Sequence, residues 1–225
     1  MDFKKETVGN NYLAYFPVVD EFPSADEVVC TWKQNAFDYV AETESTKGLR
    51  AAQLGAVFAI KSHCTISEAP VTVIMPTGTG KTETMFATIV SECRKRTLIV
   101  VPSNLLRQQT VERCLTLQRL REFNAISDKC LNPIIACLNS SPSDEDELKS
   151  IIERSNVIIS TASLLNGFTD ECFDVLSELC DTLIVDEAHH TPAKSWRRIK
   201  RLLIGFASSL QLRHFEMMGK KLTAR

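Results

Sequence analysis

Short apolar runs alternate along this chain with longer stretches in which apolar residues recur every three or four positions. The runs cover residues 71–74, 98–101, 133–138, 157–160 and 183–185. Their length and β-branched content predict five strands. Helical periodicity fills 50–61, 81–93, 105–120 and 170–179. Unbroken apolar runs, without a polar residue at every second position, read as strands covered on both faces. Strands of that kind alternating with helices predict an α/β fold, with a mainly parallel sheet and right-handed crossovers.

Residues 1–48 have a different texture. Asn10, Asn11, Pro17 and Pro23 predict loops in the first part. Val28, Val29, Trp32, Ala36, Phe37 and Val40 form an apolar stripe that predicts a helix over 26–41. The polar stretch 42–48, ending in Gly48, reads as a helix end or linker. The segment 1–48 is therefore expected to be an N-terminal appendage. No internal repeat or low-complexity block is evident.

Candidate chemistry sits at two strand ends. After the run at 71–74 comes Met75-Pro-Thr-Gly-Thr-Gly-Lys-Thr-Glu-Thr84, and then the helical pattern begins. A strand, a tight turn and a helix start make an anion cradle, because free backbone N–H groups and the helix dipole converge there. Thr77, Gly78, Thr79 and Gly80 would form the cradle, with the glycines bending where a Cβ would interfere. Lys81 would meet the β- and γ-phosphates of a nucleotide, and Thr82 would offer a hydroxyl to Mg²⁺. The strict phosphate-loop pattern places glycine where Met75 stands. A glycine turn beside a surface lysine is the bland alternative, and the strand-to-helix context disfavours it. The run at 183–185 ends in Asp186-Glu187, and the C-terminal end of a buried parallel strand is where α/β sheets present ligand groups. Asp186 would hold Mg²⁺, directly or through water. Glu187 would orient and deprotonate an attacking water.

These strings carry a resemblance. MPTGTGKT and DEAHH resemble motifs I and II of superfamily 2 helicases, in the branch of the type III restriction enzyme helicase subunits. Leu49-Arg50-Ala-Ala-Gln53 is similar to the segment before the first core strand, where the resemblance implies that Gln53 contacts adenine. Val100-Val-Pro-Ser-Asn-Leu-Leu-Arg-Gln108 is similar to motif Ia, and Ile158-Ile-Ser-Thr-Ala-Ser-Leu-Leu165 to the next backbone-binding motif. They imply Pro102, Asn104, Gln108, Ser160 and Thr161 as nucleic-acid contacts. The stretch from His189 to Arg198 resembles the sequel to motif II, which implies His189 or His190 in coupling to a second lobe. The match covers about residues 49–201. It implies a RecA-like P-loop domain over 49–204, with Glu187, Lys81 and Asp186 as catalytic residues. ATP and Mg²⁺ would be the cofactors. DNA is the implied partner, with RNA open, and movement on it would be driven by ATP hydrolysis. A nucleotide-binding remnant without turnover is the alternative reading. A small-molecule kinase is disfavoured by DEAHH and the motif Ia-like segment.

Composition changes this picture little. The chain has 225 residues, 44% hydrophobic and 24% charged, with net charge −2. Global charge gives a nucleic-acid binder no support, so any footprint must be local. The eight cysteines form no Cys-x-x-Cys pair, which reads as scattered thiols of a reducing compartment. The N-terminus lacks an apolar leader and no run is long enough to span a bilayer. A soluble, cytoplasmic protein without membrane contact is expected. Among charged runs, 141–147 reads as a capped helix start with Ser141 or Ser143 as cap, and not as a metal site. Arg94, Lys95 and Arg96 suit a helix C-terminus, and Arg107, Arg113 and Arg119 a solvated face. The basic run 194–201 reads as a packed helix with a solvated cationic face.

The end of the chain departs from the family. Motif III, Thr-Ala-Thr-Pro-Phe-Arg, is missing, and Leu210-Gln-Leu-Arg-His-Phe-Glu-Met-Met-Gly-Lys220 stands in its place. With leucine as TTA and ordinary codons chosen for Gln211 to Lys220, a reading in which each codon starts at an old third base gives Thr-Ala-Thr-Pro-Phe-Arg-Asn-Asp-Gly-Lys. The adjacent methionines, with a single codon, force the Asp-Gly. Residues 205–225 are therefore expected to be an out-of-frame tail. The fold would be incomplete at the C-terminus, with a central gap where the motif III strand belongs. The second RecA-like lobe would be missing too, and with it an arginine finger worth about 10³–10⁵ in rate. Strand separation by this chain alone is not expected.

Overall fold

The structure, a computed structural model, describes residues 2–67, 69–187, Ile199 and the backbone of Arg213–Lys220. An eight-stranded sheet in the order β1-β2-β5-β6-β4-β7-β8-β3 forms its spine. The strands are β1 (Lys4–Val8), β2 (Asn11–Tyr15), β3 (Val71–Pro76), β4 (Thr97–Val101), β5 (Ile135–Cys137), β6 (Val157–Thr161), β7 (Thr182–Asp186) and β8 (Arg213–Lys220). All pairings from β5 to β3 are parallel, as the apolar runs predict. β4, β6 and β7 are buried along their whole length. Burying one such Ile, Leu or Val side chain contributes about 1.5–3 kcal/mol, and these three strands run through the middle of the core.

The described helices are α1 (Ala25–Gln34), α2 (Ala51–Ile66), α3 (Lys81–Ser91), α4 (Asn104–Thr116), α5 (Gln118–Glu122), α6 (Glu145–Glu153), α7 (Ala162–Leu165) and α8 (Asp170–Leu179). Asp170–Leu179 matches its predicted range. The pattern over 105–120 is broken at Leu117, whose φ of 49° is left-handed. Asp144, and neither Ser141 nor Ser143, caps α6, accepting from the Glu147 amide at 2.8 Å. Ser143 instead donates to the Glu147 carboxylate through its amide, at 2.9 Å.

Three expectations need correction. The first part of the chain is not loops: β1 and β2 form a hairpin turned at Gly9-Asn10, and β2 pairs antiparallel with β5. Asn11 is strand, not breaker, and accepts from the amides of Asn139 and Ser140 through its side chain. α1 ends at Gln34, short of the predicted 41. Phe37 and Tyr39 still pack together in the segment that follows, 5.0 Å between ring centroids. Finally, no central gap appears. The backbone of Arg213–Lys220 fills the slot between β7 and β3, in parallel register with both. Strand edges on either side present unpaired N–H and C=O groups, and any extended segment of sufficient length satisfies them.

The candidate nucleotide site

The parallel strands point the same way, so the C-terminal ends of β3, β4, β6, β7 and β8 gather on one edge of the sheet. The phosphate-loop candidate leaves β3 there. Gly78 and Gly80 have φ of 83° and 88°, left-handed values that glycine adopts without strain. Gly80 caps α3, so the first amides of α3 face the loop. Thr79 folds back on Pro76, its hydroxyl donating to the Pro76 carbonyl at 2.6 Å. A Cβ at Gly78 would meet open space, the room an anion needs, whereas a Cβ at Gly80 would collide with Gln53 Nε2.

Gln53, only 3% exposed, braces this loop. Its Nε2 donates to the Gly80 carbonyl at 3.1 Å and its Oε1 accepts from the Arg50 amide at 2.8 Å. Arg50 adds a second brace, donating from Nη1 to the Gly78 carbonyl at 2.9 Å. The loop is thereby held from behind, and the Thr79 amide is turned in on the Pro76 carbonyl at 3.3 Å.

β7 delivers the acids to the same edge. Asp186, 8% exposed, ends the strand. Glu187 follows with φ of 51°, left-handed and strained for a residue with a Cβ. That turn aims its carboxylate at Lys81, and the two form an ion pair. Two residues 106 positions apart thus meet over β8. Thr82 is half-buried on the first turn of α3.

A cleft of about 420 Å³ opens beside the loop. Gln53, Gly78, Gly80, Lys81 and Thr82 line it, together with Lys47, Arg50, Arg113, Arg119 and Phe123. The last five were not singled out as site residues from sequence, except that Arg50 lay in the segment quoted for Gln53. They resemble ordinary surface residues and are distant in sequence. The clear space at Gly78 and a wall whose cations outnumber its acids, Glu42 and Glu83, fit a polyphosphate with its metal.

The remaining site residues lie nearby or out of view. Pro102 is half-buried, and Asn104 and Gln108 are exposed at the start of α4, where Ser103 caps the helix. Ser160 is fully buried, and Thr161, 4% exposed, caps α7 by accepting from the Leu164 amide. Their exposed neighbour is Ser163. Arg107 does not point to solvent: it is 7% exposed and donates to the Leu138 carbonyl at 2.6 Å. Arg94 pairs with Glu92 and Lys95 with Asp26, so these cations are engaged within the protein. His189 and His190, and the basic run 194–201 apart from buried Ile199, lie outside the described residues. Among the described residues, no cluster of His, Cys, Asp or Glu could hold a metal ion by itself, and no helix is long and apolar enough to cross a membrane.

The fold is similar to solved helicase structures. A hypothetical ATP-dependent RNA helicase from Sulfolobus tokodaii superposes with a TM-score of 0.52 at 13% identity, covering 87% of this chain and 51% of that one. The UvsW helicase of bacteriophage T4 gives 0.48 at 15% identity, covering 88% and 61%. The chain thus spans about half to three fifths of these two structures, and at such identity the first likeness establishes a RecA-like fold alone. No curated protein matches the sequence significantly. The family profile described as "Type III restriction enzyme, res subunit" matches residues 46–213, from ahead of the Gln53 brace through the acids of β7. The chain belongs to that family, a branch of the superfamily 2 helicases.

Proposed function

We propose that this chain is the ATP-binding motor lobe of a DNA helicase or translocase. The observation that carries the reading is the meeting of Lys81 with Glu187 across β8, beside the glycine loop that opens α3. Lys81, the loop amides from Thr77 to Gly80 and Thr82 would hold the triphosphate. Thr82 and Asp186 would hold Mg²⁺, which supplies charge neutralisation at the phosphates. With nucleotide bound, Lys81 turns to phosphate and Glu187 is released to accept a proton from water. DNA is favoured as the track by the family's restriction-enzyme description. Asn104, Gln108 and the 160–163 segment share the strand-end edge with the nucleotide loop. A nucleotide step there has a short path to a nucleic-acid backbone. His189 and His190 would couple the lobe to a second one.

The frame-shifted reading of 210–220 favours a chain that binds nucleotide with little turnover. In the intact motor a second lobe would close on ATP and complete the site. Two measurements test this. MgATP should bind the chain, and Lys81→Ala should weaken binding by about tenfold or more, the loss of one strong charge-assisted contact. A repaired chain carrying the in-frame continuation should show DNA-stimulated ATPase that Lys81→Ala abolishes. Turnover that survives Lys81→Ala would sink the assignment. Coding DNA with no Thr-Ala-Thr-Pro in another frame would sink the frame reading.

A further inference from the structure

We propose that Glu83 is an acid gate on the phosphate cradle and that Arg113 keeps it open by neutralising the carboxylate. This rests on the nucleotide reading given above and adds to it a control on polyphosphate affinity. Glu83 stands on the first turn of α3, just after Lys81 and Thr82. An acid there favours the helix, because it faces the positive end of the helix dipole. The same turn would receive the phosphates, drawn by the same dipole. A carboxylate beside the cradle therefore competes with the ligand for one positive field. Its position is tight against the loop: Oε2 lies 3.2 Å from where a Cβ of Gly80 would stand, and the side chain is only 15% exposed. At that depth salt and water screen its charge less than at the open surface.

Arg113 reaches this carboxylate from α4, with Nη1 3.7 Å from Oε1. Among the described residues no other cation pairs with Glu83. The neighbouring cations are engaged elsewhere. Arg50 holds the Gly78 carbonyl and Glu42, Arg119 holds Glu122 at 2.9 Å, and Lys81 pairs with Glu187. The helix that carries Arg113 is itself anchored, since the buried Arg107 guanidinium of α4 donates to the Leu138 carbonyl at 2.6 Å. Glu83 and Arg113 line both the nucleotide cleft and a second cavity of about 410 Å³ between α3, α4 and α5, so the pair stands where the two meet. Arg113 is 60% exposed, and an ion pair of that kind adds little to folding stability. Its consequence is local: it cancels the charge of the acid that abuts Gly80.

The test is calorimetric binding of MgATP and of magnesium tripolyphosphate to the full chain, with urea unfolding of each variant alongside. Arg113→Gln bares Glu83 and should weaken both ligands about 5- to 50-fold, the repulsion between one carboxylate and a multiply charged complex beside it. The loss should shrink as salt is raised from about 0.05 to about 0.5 M. Glu83→Gln alone should bind both ligands at least as tightly as the unaltered protein. Glu83→Gln combined with Arg113→Gln should return binding to within about threefold of it, because the acid that Arg113 covers is gone. Unfolding midpoints should stay in the range of surface substitutions throughout. A double variant as weak as Arg113→Gln would mean that Arg113 meets the phosphates itself, which overturns the gate and spares the motor-lobe assignment. Arg113→Gln without effect while Lys81→Ala removes binding does the same. Midpoints that fall in step with binding would assign the pair to folding and also overturn the gate. Indifference of both ligands to Lys81→Ala overturns the gate and the nucleotide reading together.

Discussion

Gly78 and Gly80 make different demands on the nucleotide loop. Both are left-handed, but only at Gly80 does a Cβ collide, with Gln53 Nε2. Gly80→Ala should therefore cost about 1–3 kcal/mol in urea unfolding and loosen MgATP binding with it. Gly78→Ala should cost about 1–2 kcal/mol, the backbone strain alone. Equal costs would mean that the Gln53 brace does not constrain the turn. Glu187 adds a second residue-level case. Glu187→Gln removes the ion pair with Lys81 and the proton acceptor together. MgATP binding should persist, while turnover of the intact motor falls about 10²–10⁴-fold. Retained turnover would remove Glu187 from the base role. The identities of Lys81, Thr82, Asp186 and Glu187 were legible in sequence because each stands at a helix start or a strand end in a recognisable string. Gln53's bracing role and the burial of Arg107 were not, since each depends on a carbonyl brought up from elsewhere, Gly80 for one and Leu138 for the other.

Elements follow from local pattern where packing is symmetrical, and escape it where a neighbour decides. β4, β6 and β7 were visible as apolar runs because both faces are covered. Truncating one, as in Ile159→Ala, should cost about 2–5 kcal/mol, read from the urea midpoint. A cost under about 1 kcal/mol, typical of a surface site, would mean that β6 does not sit in the core. The hairpin of β1 and β2 was missed although a signal existed. Gly9-Asn10 sits between two five-residue strands, and a two-residue turn of this composition favours hairpins. β8 was unforeseen for a different reason. Its place depends on backbone pairing to β3 and β7, which no side-chain pattern encodes. Phe215→Pro, which removes a ladder donor from an interior strand, should cost about 3 kcal/mol or more. An unchanged unfolding midpoint would show that the segment is not in the sheet.

Across the whole molecule, charge and burial set a pH window. The carboxyls of Glu6, Asp26, Glu27, Glu147 and Glu171 are held below their ordinary range. An Arg154 hydrogen bond does so for Glu6, a Lys95 bond for Asp26, Ser24 bonds for Glu27 and Ser143 bonds for Glu147; for Glu171, backbone and Thr169 bonds do. Below pH 4.5, the ordinary value for Glu, the unfolded chain takes up more protons than the folded one, so stability is lost as pH falls. Burial pushes the thiols of Cys93, Cys114, Cys130, Cys137 and Cys180 up, and the Tyr15 hydroxyl likewise. Above pH 9, the ordinary thiol value, the unfolded chain ionises first and stability falls again. Denaturant midpoints should plateau between about pH 5 and 9 and drop on both sides. A midpoint still rising at about pH 10 would contradict the burial of these thiols. Glu6 and Glu147 both tie the N-terminal hairpin to the body, through Arg154 and Asn11, so acid should loosen that end first.

Strand and helix order, the parallel sheet and the residues proposed to handle phosphate were determined by the chain's own pattern. Burial periodicity and glycine turns are local properties, carried by neighbouring residues. The tertiary structure alone decided that the N-terminal hairpin extends the sheet and that Arg213–Lys220 occupies the slot beside the nucleotide loop. It alone brought Phe123, Arg119 and Arg113 to the cleft that Lys81 opens. Those arrangements join residues far apart in the chain, and they arise from edges seeking hydrogen-bond partners and helices packing side by side. Neither leaves a periodic trace in the order of residues.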